Sequence, residues 1–363
     1  MKLAPPTRHD AAGEKGIALV IVMIVVISLS LLAGGFVMSM KIETKLARNA
    51  QTDPQLDWLG RSGVELARYV LGQSLNIPNE RYDGLNQFWA GGTGGTTIFP
   101  PEISLTEMSL GDGTFSVKIT DMERRFNINV ADEFILQQAL KIIGVDASEF
   151  GTITGSILDW IDPDDDTHIG GVESDFYLQL DPPYAAKNGP LDDLSELLMV
   201  NGINAQMYWG AAADGQVGAR PRTMLGSRTG AADGLGYAVG LVDLFTPVAN
   251  PRMNINTAGT AALMLIPGMD ENIAAGIVSA RSGPDGVAGN ADDIPFQSLG
   301  ELASAVPGLD PVMVQQLARY CDTRSATFEV EVTATVGDMR REYVALLRRN
   351  QPQDVQILRF YWK

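Results

Sequence analysis

The segment that most constrains this chain runs from Ile17 to Met40. It holds 24 consecutive residues without Asp, Glu, Lys or Arg. As a helix rising about 1.5 Å per residue it is long enough to cross the ~30 Å hydrocarbon core of a bilayer. A polar leader, Met1 to Gly16, precedes it with Lys2, Arg8 and Lys15, and cations on that side favour a cytoplasmic N-terminus. Past Lys41 the helical spacing of Leu46, Asp57-Trp58, Val64, Leu66, Ala67, Val70 and Leu71 predicts that the helix runs on. Gly72 and then Asn76-Ile77-Pro78 are its expected stop. The plan is a leader, one apolar helix and a large body on the far side of the membrane.

Composition narrows what that body does. The net charge of −17 and pI near 4.5 argue against a general nucleic-acid binder, which needs a basic face. Cys321 is the one cysteine, so no intrachain disulfide is possible and stability must come from core, size or bound metal. The two histidines, His9 in the leader and His168 in an acidic loop, leave no basis for a His-based triad or a His-rich zinc site. No catalytic constellation is visible, and a non-enzyme is expected.

The sheet-forming signals sit at two distant places. Gly91 to Thr97 reads as a flexible loop and Asp112-Gly113 as a turn. Thr114 to Thr120 alternates as a half-buried strand. Phe328 to Val336, Arg341 to Arg348 and Val355 to Trp362 supply further strands. The expectation is an α+β fold: a spine helix packed on a small antiparallel sheet that is split by a large, mostly α-helical insertion.

The insertion repeats in outline. One copy opens at Asn127-Ile128-Asn129, followed by a helix from Asp132 to Ile143, a Gly144 turn, a helix from Ser148 to Trp160 and the run Leu191 to Leu198. The other opens at Asn254-Ile255-Asn256, followed by a helix from Gly259 to Ile266, Pro267-Gly268, a helix from Glu271 to Ala280 and the run Phe296 to Leu302. The second copy resembles SAM-like or helix-hairpin-helix units, whose turn amides and nearby Lys or Arg grip a phosphate. Here Asp270 and Glu271 stand at the turn and repel an anion, so the hairpins read as a protein–protein scaffold rather than a DNA grip. Gly210 to Gly240, with Arg220, Arg222 and Arg228, reads as a linker.

Two acidic loops suit a divalent cation. Asp159, Asp162, Asp164, Asp165, Asp166, Glu173 and Asp175 lie within 17 residues with no Lys or Arg among them. Asp285, Asn290, Asp292 and Asp293 form a second set among glycines, without EF-hand spacing. Calcium, which takes 6–8 oxygen ligands, is the ion such loops fit; a solvated acidic loop remains the alternative for both. The candidate ligands are Asp159, Asp162, Asp164, Asp166, Glu173 and Asp175 in the first loop, and Asp285, Asn290, Asp292 and Asp293 in the second. His168 is read as a loop residue.

Glu14-Lys15-Gly16-Ile17-Ala18-Leu19 resembles a type IV prepilin signal, a charged leader ending in Gly before an unbroken apolar helix. The resemblance implies cleavage between Gly16 and Ile17 by a prepilin peptidase and N-methylation of Ile17. An uncleaved signal anchor is the alternative. Most pilins carry Glu five residues after the cut, where this chain has Ile21. Its absence is typical of one minor pseudopilin family. Arg125-Phe126-Asn127-Ile128-Asn129, Leu158 to Asp165, Pro182 to Asp192, Leu194 to Ile203 and Asn254 to Ala258 resemble that same family, type II secretion system protein K.

The resemblance implies a pilin-like fold, calcium binding and a place in the inner membrane with the body in the periplasm. It implies a cap on the pseudopilus tip above the minor pseudopilins I and J, with the secretin or the exoprotein as further partners and no nucleic acid. The competing class is a signal-anchored cell-surface protein that binds calcium or handles DNA. The expected segments are a leader (1–16), transmembrane and spine helix (17–75), first part of the α/β domain (76–123), first helical repeat (124–205), linker (206–250), second helical repeat (251–325) and C-terminal strands (326–363).

Overall fold

A computed structural model describes residues 12–94, 98–210 and 237–363. Leader residues 1–11, residues 95–97 of the Gly-rich loop and the segment carrying Arg220, Arg222 and Arg228 lie outside the described residues.

Helix α1 runs unbroken from Ala12 to Ser74, with Pro54 inside it. It is the one helix among the described residues long and apolar enough to cross a membrane. Its two halves obey different solvents. From Ile17 to Met40 the large apolar side chains are exposed all round, as lipid contact allows. From Leu56 a single stripe is buried: Leu56, Leu59, Val64, Ala67, Val70 and Leu71. Leu46 and Trp58, expected on that stripe, stand exposed at 61% and 70%. The helix also passes the expected stop at Gly72. That glycine is required by packing, since a Cβ there would strike the Pro352 carbonyl.

Strand β1 (Met108–Leu110) leads into β2 (Gly113–Asp121), and the chain then leaves the sheet through β3 (Phe126–Asn127). Helices α2 (Glu133–Ile143), α3 (Phe150–Ile161), α4 (Ser174–Tyr177), α5 (Ala205–Trp209) and α6 (Leu241–Leu244) end at β4 (Phe245–Thr246). A second series follows: β5 (Met253–Asn254), α7 (Thr260–Leu263), α8 (Glu271–Arg281), α9 (Leu302–Ala305), α10 (Pro311–Leu317) and β6 (Cys321–Asp322). The chain returns to the sheet in β7 (Thr327–Val336), β8 (Met339–Gln351) and β9 (Asp354–Trp362).

The main sheet is antiparallel throughout, in the order β1-β2-β7-β8-β9. Its inner face sets Phe115, Val117, Ile119, Phe328, Val330 and Val332 against the buried stripe of α1. The three alternating runs in the C-terminal sequence are the strands expected of them. Because β2 and β7 are hydrogen-bonded neighbours, from Gly113↔Val336 to Asp121↔Phe328, residues 122–326 emerge as one excursion between adjacent strands.

Glycines let α1 lie close on this face. A Cβ on Gly60 would come 2.5 Å from the Tyr343 ring, and one on Gly63 would meet Val332. Tyr343 has nowhere to retreat: its hydroxyl donates to Asp57 Oδ1 at 2.7 Å and its ring stacks on Phe360. Gly60→Ala is therefore expected to cost about 1–3 kcal/mol by overpacking. Ser62→Ala, on the exposed face of the same helix, should stay within about 0.5 kcal/mol. Chemical denaturation of the two variants checks the difference.

The excursion contains the same series twice. Asn127 Oδ1 accepts from the Asn129 N–H, and Asn254 Oδ1 from the Asn256 N–H, each at 2.9 Å. The second Asn of each pair then clamps a distant backbone residue with both ends of its amide. Asn129 exchanges two hydrogen bonds with Leu191, and Asn256 exchanges two with Phe296. Left-handed glycines follow at matching places, Gly144 with Gly268 and Gly202 with Gly308. Each series closes with a two-residue strand parallel to its first, β4 on β3 and β6 on β5. Each has its own core, around Ile135, Leu140, Trp160 and Phe245 in one, and Ile255, Leu263, Ile277 and Leu317 in the other.

Several local expectations change. The expected helix Gly259–Ile266 is only Thr260–Leu263. Leu191 to Leu198 becomes a 3-10 turn, Leu194–Met199, held by a capping box between Asp193 and Glu196. The expected linker 206–250 is not one at its described ends. Met207, Tyr208, Leu241, Leu244 and Phe245 are buried in the first core, because β4 supplies the strand that closes that unit.

Candidate metal centre

Helix α3 delivers Asp159 in its last turn, fully buried. The chain then loops out and returns along the helix. Gly155 and Gly171 permit this close return, since a Cβ on Gly155 would lie 2.6 Å from the Gly171 nitrogen. The return places His168 over Asp159: its backbone N–H donates to Asp159 Oδ1 at 2.8 Å and its Nδ1 lies 2.6 Å from the same oxygen. The hydrogen bond that the ring donates to Asp159 raises the imidazole pKa. Nδ1 is also 3.5 Å from Asp162 Oδ2. One ligand atom from each of Asp159, Asp162 and His168 thus lies within 4.8 Å of the others. His168, read from sequence as a mere loop residue, belongs to this cluster.

Five oxygens at this end of α3 are buried with no hydrogen-bond donor: Asp159 Oδ2, Asp162 Oδ1, both Glu173 oxygens and Asn188 Oδ1. Leaving buried polar atoms unmatched is costly, so the arrangement asks for a counter-charge. Burial, followed by the charges of Asp159 and Asp162, pushes the Glu173 carboxyl up to about 7. Burial and the Asp164 charge push Asp162 up as well. A Cβ on Gly171 would fall on Asp159 Oδ2, so the glycine keeps that oxygen open. A set of hard oxygens from three carboxylates and an amide fits Ca²⁺.

The remaining candidates divide. Asp164 contributes its charge from an exposed position and accepts the Asp166 N–H at 3.0 Å. Asp166 and Asp175 are exposed, and Asp175 sits in the first turn of α4. Asn188 was missed from sequence; its Nδ2 donates to the Asp164 carbonyl and to Asp165 Oδ1 at 3.1 and 2.8 Å, which leaves Oδ1 over the loop. The signal for it was its amide in the run Lys187-Asn188-Gly189, too common to single out.

The second loop is organised differently. Asp285 Oδ1 accepts from the Val287 N–H and Oδ2 from Asn290 Nδ2; Asp293 Oδ2 accepts from the Gly289 N–H. Asn290 Oδ1 and Asp292 Oδ2 accept loop amides at 3.2 and 3.4 Å. Asp293 Oδ1 is the one orphaned oxygen among these four residues, and burial raises that carboxyl. At the other end of α8, Asp270 caps the helix by accepting the Ile273 N–H at 2.8 Å. A carboxylate thus occupies the helix end where a phosphate-gripping hairpin would hold its anion.

The chain is similar to known proteins of one family. A family model described as Type II secretion system (T2SS), protein K matches residues 119–211. The type II secretion system protein K of Klebsiella pneumoniae is 26% identical over 54% of this chain and 60% of its own length. That of Aeromonas hydrophila is 24% identical over 95% of this chain and 96% of its own. Over these spans the chain is similar to the type II secretion system protein K family. Its alignment with the first of these relatives stops short of two thirds of the relative's length, whereas the second is spanned almost whole. The fold is also that of a chain in the crystal structure of the GspK–GspI–GspJ complex from the enterotoxigenic Escherichia coli type 2 secretion system. The TM-score is 0.62 at 20% identity, over 87% of this chain and 99% of that one.

Proposed function

We propose that this chain is a minor pseudopilin of a type II secretion system that caps the periplasmic pseudopilus. The observation that carries the reading is that anchor and spine are one helix. At ~1.5 Å per residue α1 is about 94 Å long, far more than a bilayer needs. Its charge-free half suits the inner membrane, while its other half is the core helix of the sheet. The role is mechanical rather than catalytic: α1 is drawn from the membrane into the fibre and carries the helical units at its end. Ile21 supports the terminal position. A subunit without a carboxylate there offers no partner for the N-terminal amine of a subunit above it.

The partners we propose are the minor pseudopilins I and J beneath it, the prepilin peptidase that cuts between Gly16 and Ile17, and the secretin or exoprotein above. We read the excursion as two SAM-like or helix-hairpin-helix-like units used as a protein scaffold. Calcium would be held by Asp159, Asp162, Glu173 and Asn188, where it would neutralise the cluster and fix the return loop on α3. The 285–293 loop is a second and weaker calcium loop, since binding there displaces hydrogen bonds the loop already makes.

The test is processing. Co-produced with a prepilin peptidase, the wild-type chain should lose its first 16 residues and gain a methyl group, read by intact mass, and should co-purify with proteins I and J. Gly16→Asp should keep full length. An unchanged wild-type mass in the presence of active peptidase would end the pseudopilin reading.

A further inference from the structure

A second cluster of buried carboxyls lies far from the acidic loops, where the sheet meets the second helical unit. Asp121 ends β2 and is 2% exposed; Glu123, two residues on, is fully buried. Asp121 is saturated with donors. Its Oδ2 accepts from Thr257 Oγ1, from Ser325 Oγ at 2.7 Å and from Asn254 Nδ2 at 3.2 Å, and its Oδ1 accepts the Glu123 N–H at 2.9 Å. Glu123 crosses the same seam: Oε1 accepts the Asn250 and Thr327 amides at 3.1 Å, and its carbonyl accepts the Asn254 N–H at 2.8 Å. The two carboxyls therefore tie β2 and β7 to the opening Asn-x-Asn turn of the second unit.

The charges facing them do not balance. Asp83, from the segment after α1, lies in the same buried region and is taken up by Arg349 of β8 at 2.5 Å. That guanidinium is bound in turn to Ser325 O and Ser74 Oγ. Arg124 follows Glu123 in the chain, half-buried, and its charge reaches Arg281 of α8. The other side chains facing the pair, Asn254, Thr257 and Ser325, are neutral. Two adjacent buried carboxylates that face mainly neutral donors are resolved most cheaply by one proton. The donors around Asp121 favour its charged form, which leaves the proton on Glu123, donated to Asp121.

We infer that Asp121 and Glu123 hold one proton between them and make the seam between the sheet and the second helical unit a latch that loosens as its surroundings become alkaline. The inference does not depend on the secretion role. Burial, then the Asp121 charge, pushes the Glu123 carboxyl up to about 8, and burial raises Asp121 too. An opened seam returns Glu123 to the ordinary carboxylate range. The closed seam therefore binds an extra proton at any pH between the two values. Opening becomes easier by about tenfold per pH unit from about 5 to about 8, and levels off above.

Hydrogen exchange of the full chain in detergent, from pH 5.5 to 9, reads this directly. After correction for intrinsic exchange, peptides covering Asn254–Ala258 and Ser325–Thr327 should open up to about tenfold more per pH unit in the wild type and show no such slope in Glu123→Gln. Glutamine keeps the acceptor for both amides and a donor toward Asp121. Infrared difference spectra of wild type minus Glu123→Gln should contain a protonated-carboxyl band that titrates away near pH 8. A wild-type seam without the added slope, a slope that survives in Glu123→Gln, or no such band at pH 6 overturns the inference.

Discussion

Arg349→Met is expected to remove about 3–5 kcal/mol of folding stability, which would leave the body marginal at room temperature. Arg349 is 3% exposed and binds three parts of the fold at once. It donates to Ser74 Oγ and Leu71 O at the end of α1, to Asp83 Oδ2, and to Ser325 O before β7. It also lies over the Phe328 ring at 4.8 Å. Methionine fills comparable space but leaves Asp83 as a buried charge without its cation. Arg348→Met, one residue away and exposed, should change stability by less than about 0.5 kcal/mol. Adding Asp83→Asn to Arg349→Met should recover part of the loss, because the cost lies mainly in the stranded carboxylate. Urea midpoints of the four proteins measure all of this; equal losses for Arg348→Met and Arg349→Met would refute it.

The other large effect concerns calcium. If the end of α3 holds the ion, free Ca²⁺ at a hundred times its dissociation constant adds about 2.7 kcal/mol to stability, and chelation removes it. One variant separates ion binding from ordinary packing. Glu173→Gln should abolish the calcium increment, yet without calcium it should be at least as stable as the wild type. The substitution relieves the burial and repulsion that raise this carboxyl. Thermal melts with EDTA and with added Ca²⁺ test both signs. A wild-type melt indifferent to calcium would remove the site from consideration.

What sequence reveals of this fold depends on how local each signal is. The strands β7, β8 and β9 and the spine helix follow from periodicity that any half-buried element must carry, and all were legible. The charge-free run was legible because a bilayer imposes length and composition directly. The repeat showed itself through Asn127-Ile128-Asn129 and Asn254-Ile255-Asn256, since the same clamp needs the same residues. The closing strands β4 and β6 did not, because two residues have no period. Phe245 looked like part of a linker only because its partner, Phe126, is more than a hundred residues away.

Among the metal candidates, the count of carboxylates gave the loop but not its geometry. Asp166 and Asp175 carry the same charge as Asp159, and only the return of the chain along α3 decides which are buried. Asn188 and His168 join the cluster by the same tertiary accident. Asp121 and Glu123 stood unnoticed near the end of a strand, for the burial that gives them their chemistry comes from Asn254, Thr257 and Ser325.

The register of β2 on β7 has a consequence for how the molecule withstands pulling. The chain leaves the sheet just after Asp121 and returns at Phe328, and these two residues are partners on one rung. Tension applied along α1 passes through its packing into β2, β7 and β8, and across that rung, without stretching residues 122–326. The helical units hang beside the line of force like a pennant on a mast. A pull along α1 is borne by the spine and the sheet, while the helical units keep their own cores.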